Sequence, residues 1–169
     1  TMRMDAEGEG GSLYRLAPDG TWTVHDSNYV VTNGPAFSAC GRWLYHTDTG
    51  RGVIYRFARA EGGIADRQPF IVFGEGDGLP DGMTVDAENG LWVAHWGGAK
   101  VSRFDDDGTL DRSIALPARQ VTNVAFAGEN LDRLFASSAA VGLPPSPYDG
   151  ALFEIESGAR GLPPGLYAG

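Results

Sequence analysis

Two turns carry the side chains best suited to chemistry. Asn33 stands in Thr32-Asn33-Gly34 and Asp81 in Pro80-Asp81-Gly82. A carboxamide oxygen and a carboxylate are hard donors, of the kind that hold Ca²⁺, Mg²⁺ or Mn²⁺. Nothing near them has the Cys/His spacing that zinc favours. An Asn-Gly or Asp-Gly pair is also a common tight turn, because such residues tolerate positive φ. The choice between these readings depends on whether the fold brings two turns that are distant in sequence to one place.

An internal repeat says that it does. Asn33 to Phe57 (NGPAFSACGRWLYHTDTGRGVIYRF) aligns with Asp81 to Phe104 (DGMTVDAENGLWVAHWGGAKVSRF). Asn33-Gly34 falls on Asp81-Gly82, Leu44-Tyr45 on Trp92-Val93, and Arg56-Phe57 on Arg103-Phe104. A weaker copy runs from Thr122 to Ala139 and continues in GALFEI, Gly150 to Ile155. Ser12 to Asp26 resembles Val101 to Ile114 and forms a partial copy ahead of the others. The second full copy holds four strand-like runs, Met83–Val85, Leu91–Ala94, Val101–Phe104 and Leu110–Leu116, with Gly, Asn or Asp between them. A repeat of about 41 to 48 residues with four strands each is the signature of a β-propeller. The expectation is an all-β chain forming a single partial propeller domain over 1–169, with about three and a half blades. They are placed at approximately 12–30 (partial), 31–78, 79–119 and 120–169. Inner strands of a propeller line its axis. Asn33 and Asp81, each just before an innermost strand in equivalent places of successive copies, are thus expected to point at the same axial spot.

Bulk composition sets outer bounds. The 169 residues are 42% hydrophobic, enough for a core, with 25 Gly and 10 Pro falling between short apolar runs. No run approaches the roughly 20 apolar residues of a membrane helix, so no membrane partner is expected. The first residues, TMRMDAEGEGG, lack the apolar heart of a secretion signal, and a cytoplasmic location follows by default. A net charge of −9 repels phosphate backbones and argues against nucleic-acid binding. The single Cys40 has no internal disulfide partner and no neighbouring base.

The runs VTNGPAFSACGRWLYHTDT, DGLPDGMTVDAENGLWVAHWGGAKVSRFDDDG, VTNVAFAGENLDRLFASSA and GALFEIESGARGLPP, in that order, resemble the SMP-30/gluconolactonase/LRE family of regucalcin-like lactonases. The resemblance implies a six-bladed propeller with a divalent cation at its centre, Ca²⁺ first and Mg²⁺, Mn²⁺ or Zn²⁺ as alternatives. It implies hydrolysis of a sugar lactone, and relatives of the same architecture cleave organophosphates. It assigns Asn33 as one metal ligand and Asp81 as a second ligand and the general base that activates water. The family's N-terminal Glu ligand and its substrate-contacting Arg and Asn have no counterpart here, and Thr1-Met2 matches the tail of its G-T-M motif. The chain is expected to correspond to the C-terminal three-fifths of a member. Completion of the ring by a missing N-terminal portion or by self-association is the matching expectation. The alternatives are a non-catalytic propeller fragment serving binding or assembly, and an organophosphate-type esterase using the same metal and Asp.

Other residues border the same end of the expected propeller. Asp48, Trp96 and Ser138 follow the second strands of successive copies, and Thr122 and Asn123 stand where the third copy matches Asp81. All five are candidates for substrate contact. A turn-capping role is the competing reading for Asp48. His46 and His95 lack partners for a dyad and are expected to be packed. Asp86 is expected to cap a turn, Asp105–Asp107 to form a solvated hairpin, and Trp22, Trp43 and Trp92 to pack between blades.

Overall fold

The computed structural model describes residues 1–2 and 7–167. It is all-β: the only helix among these residues is a single 3₁₀ turn, Thr49–Arg51. No helix among the described residues is long and apolar enough to cross a membrane. Strands β1 (Gly11–Leu16) and β2 (Trp22–Tyr29) form an antiparallel pair. A four-stranded antiparallel sheet follows, in the order β3 (Thr32–Phe37), β4 (Trp43–Asp48), β5 (Val53–Ala60), β6 (Gly63–Val72). The next four strands repeat the arrangement: β7 (Leu79–Val85), β8 (Leu91–Trp96), β9 (Lys100–Phe104) and β10 (Leu110–Ala115). The last three are β11 (Gln120–Ala127), β12 (Arg133–Ala139) and β13 (Leu152–Ile155). One residue pair, Gln120 with Trp96, joins this final sheet to the one before it.

Sheet faces pack against sheet faces, and the sequence of β8 shows why. Its run Leu91-Trp92-Val93-Ala94 is apolar throughout and fully buried. Side chains alternate across a strand. Leu91 and Val93 therefore enter one core with Ala36, Tyr45, Ile54 and Ile71 of the preceding sheet. Trp92 and Ala94 enter a second core with Val121, Val124, Leu134 and Ile155 of the following sheet. A strand buried on both faces reads as a continuous apolar run. The outermost strands read differently. β10 is Leu-Asp-Arg-Ser-Ile-Ala and almost wholly exposed, and β6 accepts Pro69 because an edge strand can spare the donor.

Short-range chemistry closes the hairpins. Asp19 and Asp107 each accept the N–H of the Thr two residues on, at 2.9 and 2.8 Å. The Asp105–Asp107 run is thus a solvated turn between β9 and β10. Asp86 is fully buried and caps its turn, accepting the N–H groups of Glu88 and Gly90 at 3.0 and 2.7 Å. Its second oxygen takes Trp92 Nε1 and Arg103 Nε at 2.9 and 2.7 Å. Of the tryptophans expected between blades, Trp92 is fully buried and Trp43 half-buried under Arg56. Trp22 is 66% exposed and meets Tyr14 edge-on. It corrects the expectation, because β1 and β2 turn this part of their surface to solvent.

Candidate metal and substrate cavity

The inner strands β3, β7 and β11 share one irregularity. Pairing with the second strand slips between Asn33 and Ala36, between Pro80 and Met83, and between Val121 and Asn123. A bulge of this kind re-aims side chains that regular pleating would alternate across the sheet. Asn33 and Asp81 thus lie inside their strands at the bulges, not just ahead of them. Gly34 makes the first bulge with φ of 85°, in the left-handed region that glycine tolerates. Gly82 serves differently. A Cβ there would sit 2.2 Å from Asn123 Oδ1 and 2.8 Å from the Thr122 carbonyl oxygen, so its lack of a side chain lets β11 approach β7.

The three bulges open on one cavity of about 390 Å³, lined by Asn33, Gly34, Pro35, Asp81, Gly82, Met83, Thr122 and Asn123. Asp81 is half-buried. Burial pushes its carboxyl up to about 6, against a smaller opposing effect from the Gly82 N–H. No Lys or Arg among the described residues compensates it. Asn33 donates a hydrogen bond from Nδ2 to Thr49 Oγ1 at 2.8 Å, and the Thr49 hydroxyl in turn donates to the Pro80 carbonyl at 2.6 Å. The buried Thr49 hydroxyl therefore ties the two strands that carry Asn33 and Asp81. Sequence reasoning overlooked Thr49, although it adjoins Asp48. Asn123 accepts the Val124 N–H at Oδ1 (2.9 Å), which orients its carboxamide, and Thr122 Oγ1 pairs with Ser137 Oγ at 2.8 Å.

These donors fit a hard divalent cation. With Nδ2 engaged by Thr49, Asn33 keeps its oxygen for a ligand, and Asp81 supplies an anionic oxygen whose burial has no other compensation. No group of three His, Cys, Asp or Glu residues that could hold a metal occurs among the described residues, so the set is one carboxylate and one amide.

The remaining candidates lie elsewhere. Asp48 is fully buried, and its carboxylate accepts the N–H groups of Val30 and Val31 at 3.3 Å and Arg51 Nη1 at 2.5 Å. It braces the link from β2 to β3 and does not line the cavity. Trp96 ends β8, opposite Leu79 and Gln120. Ser138 donates to the Ala151 carbonyl at 2.8 Å and accepts the Gly150 N–H at 3.1 Å, holding the end of a loop. His46 packs on Tyr29 at 4.5 Å, and burial lowers its pKa to about 4. His95 stacks near Phe73 and meets the Asp77 carbonyl through Nδ1 at 2.8 Å, so Nδ1 carries the proton. Cys40 is exposed, its thiol drawn down to about 7 by the Ser38 hydroxyl and by Arg42. A second concavity, of about 410 Å³, lies in the seam between the β1–β2 pair and the next sheet. It has no carboxylate in its lining.

A family model described as "SMP-30/Gluconolactonase/LRE-like region" matches residues 1–140. The chain is 36% identical to the pentonolactonase XacC of Haloferax volcanii, over 95% of this chain and 59% of that protein. It is 33% identical to an L-arabinolactonase of Azospirillum brasilense, over 94% and 55% of the two chains. Among solved structures, a calcium-binding protein, regucalcin, from Agrobacterium tumefaciens superposes with a TM-score of 0.92 at 30% identity. That alignment covers 98% of this chain and 59% of the other. The sheets of this chain are accordingly blades of a partial β-propeller. The chain spans between half and about three-fifths of the length of these relatives.

Proposed function

Because this chain belongs to the SMP-30/gluconolactonase/LRE-like family, we propose that it carries the cation-holding part of a sugar-lactone hydrolase, with Asn33 and Asp81 as metal ligands and Asp81 as the base. One observation carries this reading: Asp81, a carboxylate desolvated without a cationic partner, faces the same cavity as Asn33. Ionising such a group in isolation is costly, so its presence at a bulge calls for a positive ligand. A divalent cation bound there would polarise the lactone carbonyl; the two hard oxygens suit Ca²⁺, Mg²⁺ or Mn²⁺, and the calcium-binding neighbour supports calcium first.

The residues themselves supply the proton handling. An Asp81 carboxylate oxygen takes the proton of a water that attacks the carbonyl carbon. The ring C–O bond then breaks, and the same proton returns to the departing ring oxygen, leaving a hydroxy acid. The oriented carboxamide of Asn123 and the Thr122 hydroxyl offer hydrogen bonds to the sugar. The pentonolactonase and arabinolactonase names of the relatives support an aldonolactone as substrate.

The test is calcium binding by calorimetry together with hydrolysis of a panel of aldonolactones by the intact protein. The expected result is cation-dependent hydrolysis, reduced by about 10²-fold or more in Asp81→Asn, in line with the usual contribution of a base. Undiminished turnover and calcium affinity in Asp81→Asn would falsify the assignment.

A further inference from the structure

We propose that the connection 140–151 is the wall that selects substrate size at the mouth of the cavity, and that Arg119 is the positioning residue that sets it. The proposal rests on reading the Asn33–Asp81 cavity as a lactone site. Three connections lead from a second strand to a third: 49–52, 97–99 and 140–151. All leave from the end of the sheets where the cavity lies, since Asn33 pairs with Thr47, Pro80 with His95 and Val121 with Ser138. The first two are tight turns of four and three residues, whereas the third has twelve and is the one able to stand over the opening.

A surface loop of that length is ordinarily mobile. This one is fastened. The Arg119 N–H donates to Asp149 Oδ1 at 2.8 Å, and its guanidinium reaches Asp149 Oδ2 through Nε at 3.0 Å and Nη2 at 2.5 Å. Nη2 also donates to the Pro144 carbonyl at 2.8 Å, and Gln120 Nε2 to the Val141 carbonyl at 3.0 Å. Charge-assisted, forked contacts are the strong and geometrically selective kind. The Asp149 side chain is 1% exposed, so this carboxylate is spent on holding the loop. Pro144, Pro145 and Pro147 stiffen the backbone between the two anchors.

The anchors have a telling position. Arg119 and Gln120 run directly into Thr122 and Asn123, which line the cavity. One stretch of chain therefore fixes the rim to the wall below it. Within the fastened loop, Val141 and Tyr148 remain 70% and 51% exposed, an apolar surface held in place with little packing of its own. Such a surface can pack against the C–H faces of the hydroxylated substituent on a lactone ring, and the Tyr148 phenol can share a hydrogen bond with its hydroxyls. That substituent is the portion of an aldonolactone that grows with chain length, whereas the ring carbonyl is addressed by Asp81 and Asn33.

The experiment compares Arg119→Ala with the wild type in the intact protein, using five-carbon and six-carbon aldonolactones, calcium titration, and hydrogen exchange over 141–148. Asp149→Asn answers the same question should Arg119→Ala fail to fold. Arg133→Ala, which breaks the exposed pair with Glu154 on the same sheet, is the control. The expected result is faster exchange in the loop, a change of at least about fivefold in the ratio of kcat/KM between the two lactones carried mainly by KM, and unchanged calcium affinity. The control keeps the wild-type ratio. A released loop with an unchanged ratio, or a loop whose exchange does not change, overturns the proposal while leaving the lactonase reading intact. A wild type that binds calcium and hydrolyses no lactone overturns both.

Discussion

The Thr49 hydroxyl donates to the carbonyl of Pro80, the residue before Asp81, while accepting from the side chain of Asn33. A single buried oxygen thereby fixes the spacing of two strands and leaves the Asn33 carboxamide oxygen free for a ligand. Thr49→Val keeps the volume and removes both hydrogen bonds. Groups that orient a metal ligand typically matter by 10- to 100-fold in affinity, so calorimetry should show calcium binding weakened by about tenfold or more. Thr49→Ser should restore most of it. Equal affinity in all three proteins would mean that Thr49 does not position Asn33.

Asp81→Asn should act in opposite directions on binding and on the stability of the cation-free fold. Burial raises the Asp81 carboxyl from its ordinary 3.8 to about 6. Its protonated form favours folding below pH about 4, and that contribution is lost as pH rises through 6. The asparagine has nothing to ionise. In the presence of a chelator at pH 8, Asp81→Asn should therefore be more stable to urea than the wild type, by about 1–3 kcal/mol. A less stable variant would mean that Asp81 has a partner in the folded state.

Gly82→Ala probes the approach of β11 to β7. The new methyl would lie 2.2 Å from Asn123 Oδ1 and 2.8 Å from the Thr122 carbonyl oxygen. Backbone conformation is no obstacle, since the φ of Gly82 is not positive. Overpacking of this kind costs about 1–3 kcal/mol. The melting temperature should fall, and the added Asn123→Ala change should recover part of the loss, because only one of the two clashes involves a side chain. Full recovery, or none, would contradict that geometry.

His46 predicts the acid side of the stability curve. Its folded pKa is lowered from 6.5 to about 4, first by burial, and its Nδ1 has no partner. The unfolded chain takes up a proton near pH 6.5 and the folded chain does not, so stability is present above that pH and drains away as pH falls towards 4. The loss between pH 7 and 4.5 attributable to His46 is about 2–3 kcal/mol. Urea titrations at the two pH values should show a smaller difference in His46→Phe than in the wild type.

Much of the cavity was legible because its parts repeat. Asn33, Asp81 and Thr122 fall in register when the copies are aligned, and the three slips in strand pairing occur at those positions. Thr49 was not legible, since its role depends on contact with Pro80, 31 residues away, which no spacing rule reveals. Asp48 has the right residue type for a ligand, but Arg51 and two backbone N–H groups occupy its oxygens. Trp22 and Trp92 look alike on the page and differ completely in burial, because β8 has a neighbouring sheet on both faces and the β1–β2 pair does not. Periodicity reports how a strand alternates, not whether anything covers it.

Among the described residues the backbone of one blade meets the next at a few points, Gln120 with Trp96, Ala99 with Arg119, and Asp86 and Ala87 with Gly161 and Arg160, and neighbouring blades are otherwise coupled through side chains. Changes of length in the outer hairpins, at Gly62 or Asp107, need not propagate inward to the bulges. The periphery is thus free to drift under mutation while the axial residues keep their registration, much as the rim of a wheel can be re-cut without moving its hub.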